Sequence, residues 1–298
     1  MTSSRSRLAN LQDFGIYPTP VASNLWDNIA GMQLEKDLIE KKILLPLMHH
    51  ELAKKHGVVL PKGILLFGPP GTGKTTFSKG IAGRLGWTFV EVPPGELAHQ
   101  GMEHQARRLR EFFQLLQWLE RAVIFFDEFE ELALHPERAS PTERMVSNEM
   151  LRQLPKFRQG DQRLLICATN NIRMLNPAML RVGRFDFVLP MGPLNNEARK
   201  AVFQGYLGRL NVGEVDMDVV TERARYFTPA DIEAVCALVA QDAFEREIGS
   251  GQDYKVQTAD VLRAIEAHPA TLRAEDLERF KEDIARYCRA DYCRLVLE

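Results

Sequence analysis

Short apolar runs alternate with helical patterns through the first two thirds of the chain. Residues 63–67, 87–92, 122–128, 163–170 and 187–189 have strand length, and 122–126 is apolar at every position, which suits a strand covered on both faces. Between them, Phe77, Ile81, Ala82 and Leu85 recur at helical spacing. So do Leu109, Phe112, Phe113, Leu116 and Leu119, and then Met145, Met150, Leu151 and Leu154. Strands that alternate with helices predict an α/β fold with a parallel three-layer sheet. From Pro193 onward the pattern is helical only. One helix uses Val202, Phe203, Tyr206, Leu207 and Leu210. The next opens with Thr228 as N-cap, Pro229 at the first helical position and Asp231 placed to close a capping box. Gly249-Ser250-Gly251 reads as a linker turn, Thr258 as the cap of a short helix, and a last helix starts near Ala274 with Leu277, Phe280, Ile284 and Tyr287 on one face. The expected division is a short arm over 1–25, an α/β domain over 26–193 and a helical domain over 194–298. Pro46 should kink a helix over 34–56, and residues 96–104 and 129–142 read as loops.

The stretch Gly68-Pro69-Pro70-Gly71-Thr72-Gly73-Lys74-Thr75 fits G-x-x-x-x-G-K-[ST] and sits between a predicted strand and a predicted helix, the context this phosphate-binding P-loop needs. Glycines let backbone N–H groups approach an anion without a Cβ in the way, and the following helix adds its positive end. Pro70, Gly71, Thr72, Gly73, Lys74, Thr75 and Thr76 are the expected nucleotide contacts. Lys74 supplies a point charge to the β- and γ-phosphates, and the Thr75 hydroxyl is a ligand for Mg²⁺. The run ending in Asp127-Glu128 supplies the complementary acids. An apolar central strand should not end in adjacent carboxylates unless its C-terminal end opens onto a site. Asp127 is then expected in the Mg²⁺ shell, and Glu128 as the group that polarises the attacking water.

Composition narrows the alternatives. The 298 residues carry a formal net charge of −2, with 45% hydrophobic and 26% charged residues, so no global basic surface argues for nucleic acid or a membrane surface. No apolar run is long enough to span a bilayer. The arginines near the start have no apolar stretch behind them, so no secretory leader is expected and a cytoplasmic location is. Cys167, Cys236, Cys288 and Cys293 form no C-x-x-C pair and are expected to be reduced.

The P-loop, Asp127-Glu128, Ala168-Thr169-Asn170 and the stretch Met179-Leu180-Arg181-Val182-Gly183-Arg184-Phe185-Asp186 occur in that order. Together they resemble the AAA ATPase family, in the branch of katanin, spastin and the valosin-containing ATPases. The resemblance covers about residues 25–290 and implies a single AAA+ module: a P-loop domain followed by a small helical lid. It further implies that Asn28, Ile29 and Ala30, within Trp26-Asp27-Asn28-Ile29-Ala30-Gly31, lie beside the adenine, and that Ala230 belongs to the lid motif. Asn170 matches the sensor position that orients water at the γ-phosphate. Arg181 and Arg184 match the arginine fingers, which reach the nucleotide of a neighbouring subunit in a ring, usually a hexamer.

Three features depart from the family pattern. Gln100-Gly101-Met102-Glu103 stands where unfoldases carry an aromatic pore loop, with glycine in the aromatic place. Pro229 replaces the usual glycine of the lid motif. No substrate-recruiting domain is expected before residue 26, and Val296-Leu297-Glu298 does not match the ending of the proteasome-docking relatives. The expected function is that of a Mg²⁺-dependent, ring-forming ATPase using ATP and releasing ADP to remodel or unfold protein substrates or complexes. The alternative is a nucleotide-switched regulatory ATPase that gates a partner without threading it. No nucleic-acid partner and no membrane segment are expected.

Overall fold

The computed structural model describes residues 11–98, 101–160 and 162–288. Five strands form one parallel sheet: β1 (Gly63–Phe67), β2 (Thr88–Val92), β3 (Ala122–Phe126), β4 (Arg163–Thr169) and β5 (Phe187–Pro190), in the order β2-β3-β4-β1-β5. β1, β3 and β4 are buried along their whole length, as continuous apolar runs in the centre of a parallel sheet must be. The register pairs Phe67 with Thr169 and Phe126 with Cys167. The chain therefore leaves β1, β3 and β4 side by side on one edge, at Gly68, Asp127 and Asn170.

The sheet is flanked by α1 (Lys74–Leu85), α2 (Met102–Leu116) and α3 (Pro141–Phe157). α3 starts earlier than the expected loop over 129–142 allows, because Ser140 and Glu143 close a capping box ahead of Pro141. Residues 96–104 are also not all loop: a short turn covers Pro94–Leu97 and α2 begins at Met102. Gln100, part of the expected pore loop, lies outside the described residues, as do the side chains of Met102 and Glu103. The expected helix over 34–56 is broken into Gln33–Ile39, a wide turn at Glu40–Leu44, Leu45–Met48 and His50–Lys55. Pro46 has no N–H and its ring crowds the preceding turn. The chain answers with an i→i+5 turn in which the Leu45 N–H donates to the Glu40 carbonyl.

After β5 come α4 (Asn196–Leu207), α5 (Met217–Arg223), α6 (Pro229–Ser250), α7 (Thr258–Ala267) and α8 (Ala274–Tyr287). α6 runs through Gly249 and Ser250, where a linker was expected, and stops at Gly251, whose φ of +67° ends a helix at little steric cost. The cap of α7 is Gln257 rather than Thr258; the Thr258 hydroxyl instead accepts the Asp216 N–H at 2.9 Å.

Two apolar cores result. The first surrounds the sheet, and the second is built from α4–α7, with Phe203, Val220, Ile232, Val235 and Val261 fully buried. Two segments expected elsewhere join the first core. Leu11 and Ile16, in the expected arm, are buried in it, and Thr19 pairs with Phe89 of β2. α8, expected with the helical unit, inserts Phe280 and Ile284 there, with the Phe280 ring 5.9 Å from that of Phe67. Cys167 and Cys236 are free and buried, whereas Cys288 is disulfide-bonded, contrary to the expectation of four reduced thiols. No helix among the described residues is long and apolar enough to cross a membrane.

Candidate nucleotide-binding site

The loop between β1 and α1 is shaped by its glycines. Gly68 has φ +156°, and a Cβ there would lie 2.0 Å from the Met191 carbonyl oxygen. Gly71, at φ +77°, turns under the start of α6, where a Cβ would meet Thr228 Oγ1 at 2.8 Å. Thr72 Oγ1 donates to the Pro69 carbonyl at 3.0 Å and holds the turn closed. Lys74, Thr75 and Thr76 form the first turn of α1, so their N–H groups have no earlier helical partner and the helix presents its positive end.

Lys74 is buried at 6% exposure, and its ammonium donates to the carbonyls of Gly68 and Pro69, both at 2.8 Å. Burial pulls its pKa down to about 8, against the opposing pull of Asp127 and then Glu130. A cation held only by two carbonyls is free to exchange them for phosphate oxygens. Thr75 Oγ1 donates to Asp127 Oδ2 at 3.1 Å, across 52 residues of sequence. These two groups could hold Mg²⁺, and an alcohol beside a carboxylate is the hard-oxygen donor set that ion takes.

β3 stops at Phe126, two residues short of the expected end. The Asp127 Oδ1 accepts the Glu128 N–H at 3.0 Å, and Glu128 takes a left-handed φ of +47°. A non-glycine residue held there carries strain of a kind that collects at functional sites. Its side chain is exposed, as a group that must meet water should be. Asn170 emerges from β4 next to the loop, its main-chain N–H pointing at Glu130 Oε1. A cavity of about 200 Å³ beside the loop is lined by Gly68, Pro70, Asn170, Thr271, Arg279 and Phe280.

Arg181 and Arg184 are not brought to this edge. The Asp186 N–H donates to the Gly63 carbonyl at 2.8 Å, so their loop sits where β1 begins, and Gly68 follows where β1 ends. Five residues of strand put the two ends roughly 16 Å apart. The loop is pinned by Asp186, which accepts from the N–H groups of Lys62 (2.7 Å) and Gly63 (3.0 Å) and from Arg158 (2.6 and 2.8 Å). Burial alone would raise the Asp186 pKa, but Arg158 and the two N–H donors outweigh it and hold the carboxyl below its usual range. Neither Arg181 nor Arg184 has a side-chain hydrogen bond or ion pair among the described residues, and Val182 between them is 92% exposed.

The lid side closes the cleft. Thr228 and Asp231 form the expected capping box in spite of Pro229, and Ala230 faces Gly71. Asp231 reaches further than a cap: its carboxylate also accepts from Thr271 Oγ1 at 2.6 Å and the Thr271 N–H at 3.2 Å, tying α6 to the segment before α8. Asn28, Ile29 and Ala30 lie at the seam of the two cores. Ile29 packs where Gly80 leaves room on α1, and its carbonyl accepts from Lys36 at 2.7 Å. Ala30 packs on the second core, and Asn28 is exposed.

Sequence reasoning passed over Glu130, Asp186 and Thr271. Glu130 had a local signal, an acid two residues past a strand-end pair. The other two are recognisable only from partners 28 and 40 residues or more away.

Residues 64–193 match the family described as "ATPase family associated with various cellular activities (AAA)". The proteasome-activating nucleotidase of Sulfurisphaera tokodaii is 33% identical over 246 residues, 81% of this chain and 62% of that protein. The cell division cycle protein 48 homolog of Archaeoglobus fulgidus is 33% identical over 225 residues, 74% of this chain and 30% of that protein. The chain thus spans less than two thirds of the length of these relatives. The AAA domain of FIGL-1 in complex with ADP has the same fold, with a TM-score of 0.77 over 92% of this chain and 94% of that one, at 22% identity.

Proposed function

The chain belongs to the AAA family of ATPases, and we propose that it hydrolyses MgATP within a ring of its own copies, six in number, and uses the cycle to remodel protein substrates or complexes. The observation that carries the ring is the division of the site across the sheet. Lys74, Thr75, Asp127, Glu128 and Asn170 gather at one edge, while Arg181 and Arg184 stand free at the other. Two arginines about a strand's length from their own phosphate loop are too far to serve it, which supports a role at a neighbour's.

Each residue has a task in that reaction. Lys74 gives up the Gly68 and Pro69 carbonyls for the β- and γ-phosphate oxygens. Thr75 and Asp127 would hold Mg²⁺, which offsets phosphate charge. Glu128 orients the attacking water and draws on its proton, and Asn170 fixes that water from the β4 side. Arg184 and Arg181 of a neighbouring copy meet the charge that develops on the γ-phosphoryl group, worth ~10³–10⁵ in rate. Asn28, Ile29, Ala30 and Ala230 line the seam expected to take the adenine. Because the seam lies between the two cores, nucleotide state sets how they are disposed, and the Asp231–Thr271 tie carries that change toward α8. The cytoplasm is the compartment this reading assigns.

One observation favours the second reading, a nucleotide-driven switch that gates a partner without threading it. Gly101 takes φ +97° at the head of α2, where an aromatic residue would be strained. The Glu128→Gln variant tests the proposal. It should keep MgATP bound with turnover reduced by about 10² or more, and it should hold a client protein with ATP and release it with ADP. Turnover at the wild-type rate would sink the assignment. Nucleotide-dependent partner binding without stimulation of the wild-type ATPase by unfolded protein would favour the switch.

A further inference from the structure

The turn that follows β3 carries an acid with no task in the mechanism above. Glu130 lies in the 3₁₀ turn Phe129–Glu131, which is set by the fully buried Phe129 ring and by the Glu131 N–H donating to the Glu128 carbonyl at 2.9 Å. Its Oε1 accepts the Asn170 main-chain N–H at 3.4 Å. Its Oε2 is buried and has no hydrogen-bond partner among the described residues. Its charge reaches Lys74. A carboxylate kept for structure alone would satisfy both oxygens, since a buried acceptor without a donor is destabilising and rare. An acid left in this state against a phosphate site is arranged for a donor that the described residues do not supply.

We propose that Glu130 is a positioning residue for hydrolysis: Oε1 fixes the end of β4, and so the direction of the Asn170 amide, while Oε2 accepts from a water ordered at the bound nucleotide's phosphates. The proposal rests on the nucleotide-site reading above. Glutamine at this position separates the two halves of the role. Its amide oxygen still accepts the Asn170 N–H, but its NH₂ cannot accept from water. Alanine removes both.

The test uses the full chain with Mg²⁺ and fluorescent N-methylanthraniloyl-ADP and -ATP, alongside steady-state hydrolysis of ATP. Glu130→Gln should lower kcat about tenfold or more, while both nucleotide Kd values change by no more than about threefold, the margin left for the carboxylate charge that Lys74 loses. Glu130→Ala should lower kcat further. Combining it with Asn170→Ala should add less than about threefold to the larger single effect, because residues that act through one another are not additive. Wild-type kcat in Glu130→Gln would overturn the proposal, as would multiplying effects in the double variant. Loss of ADP binding in both Glu130 variants would also overturn it, showing a structural role. Wild-type kcat in Asn170→Ala would instead overturn the sensor assignment on which the proposal rests, and only that outcome removes both.

Discussion

Lys74 is charged in a place that disfavours charge, and the consequence is measurable without nucleotide. Its ammonium is buried between the Gly68 and Pro69 carbonyls, and burial, opposed by Asp127 and Glu130, lowers its pKa from the ordinary 10.5 to about 8. Between those two values the unfolded chain binds more protons than the folded one, so stability rises with pH there. The penalty is complete below about pH 8 and gone above about pH 10.5. A fall of that size corresponds to about 3 kcal/mol. Between pH 7 and pH 10 the wild type should therefore gain about 2.5 kcal/mol relative to Lys74→Met, whose side chain does not titrate. Urea unfolding of both proteins at the two pH values, free of nucleotide and with EDTA present, gives this difference. Comparing the pH changes cancels every other titrating group and the two carbonyls that lose their donor. Equal pH dependence in wild type and variant would refute the reasoning, because Lys74 would then keep its ordinary pKa. The same proton governs function: ADP affinity should fall above pH 8 by up to about tenfold per pH unit as the cation is lost.

Arg184→Ala should bind ATP within about twofold of wild type and lose about 10³ in turnover, and mixing it with Lys74→Met copies should restore part of that turnover; no recovery in the mixture would remove the assignment in trans. Phe280→Ala should destabilise the nucleotide-free protein by about 3–5 kcal/mol in urea, since the ring is nearly buried against Phe67 and over Gly68 and Gly192; a loss below about 1 kcal/mol would mean that α8 does not pack there. Thr271→Val should weaken the hold on Asp231. Burial favours the protonated form of that acid, but Thr271 and Thr228 outweigh burial and keep its pKa low. The stability deficit of the variant should be full above about pH 4 and shrink as pH falls through the folded-state pKa of Asp231, which thermal melts from pH 3 to pH 7 would follow.

What could be read in the chain is what depends on near neighbours. The runs that became β1, β3 and β4, the glycine loop, its Lys74-Thr75 pair and the Thr228–Asp231 box are each specified within a few residues. Local chemistry that a pattern does not weigh shifted several boundaries. Pro46 forced a wide turn, Ser140 capped α3 early, and Asp127 accepted the N–H of a left-handed Glu128 and so ended β3. Tertiary structure alone decided the rest. The amphipathic pattern of α8 says that Phe280 and Ile284 face something apolar; that it is the sheet core rather than the helical one follows from packing. Strand register brought Thr75 to Asp127 and Glu130 to Asn170, and it also put Arg181 and Arg184 at the far edge of the sheet from their own phosphate loop. A residue's type and spacing determine what chemistry it can do. Which atoms it meets depends on pairings across 40 residues and more, and these are settled only when two cores and one sheet form together.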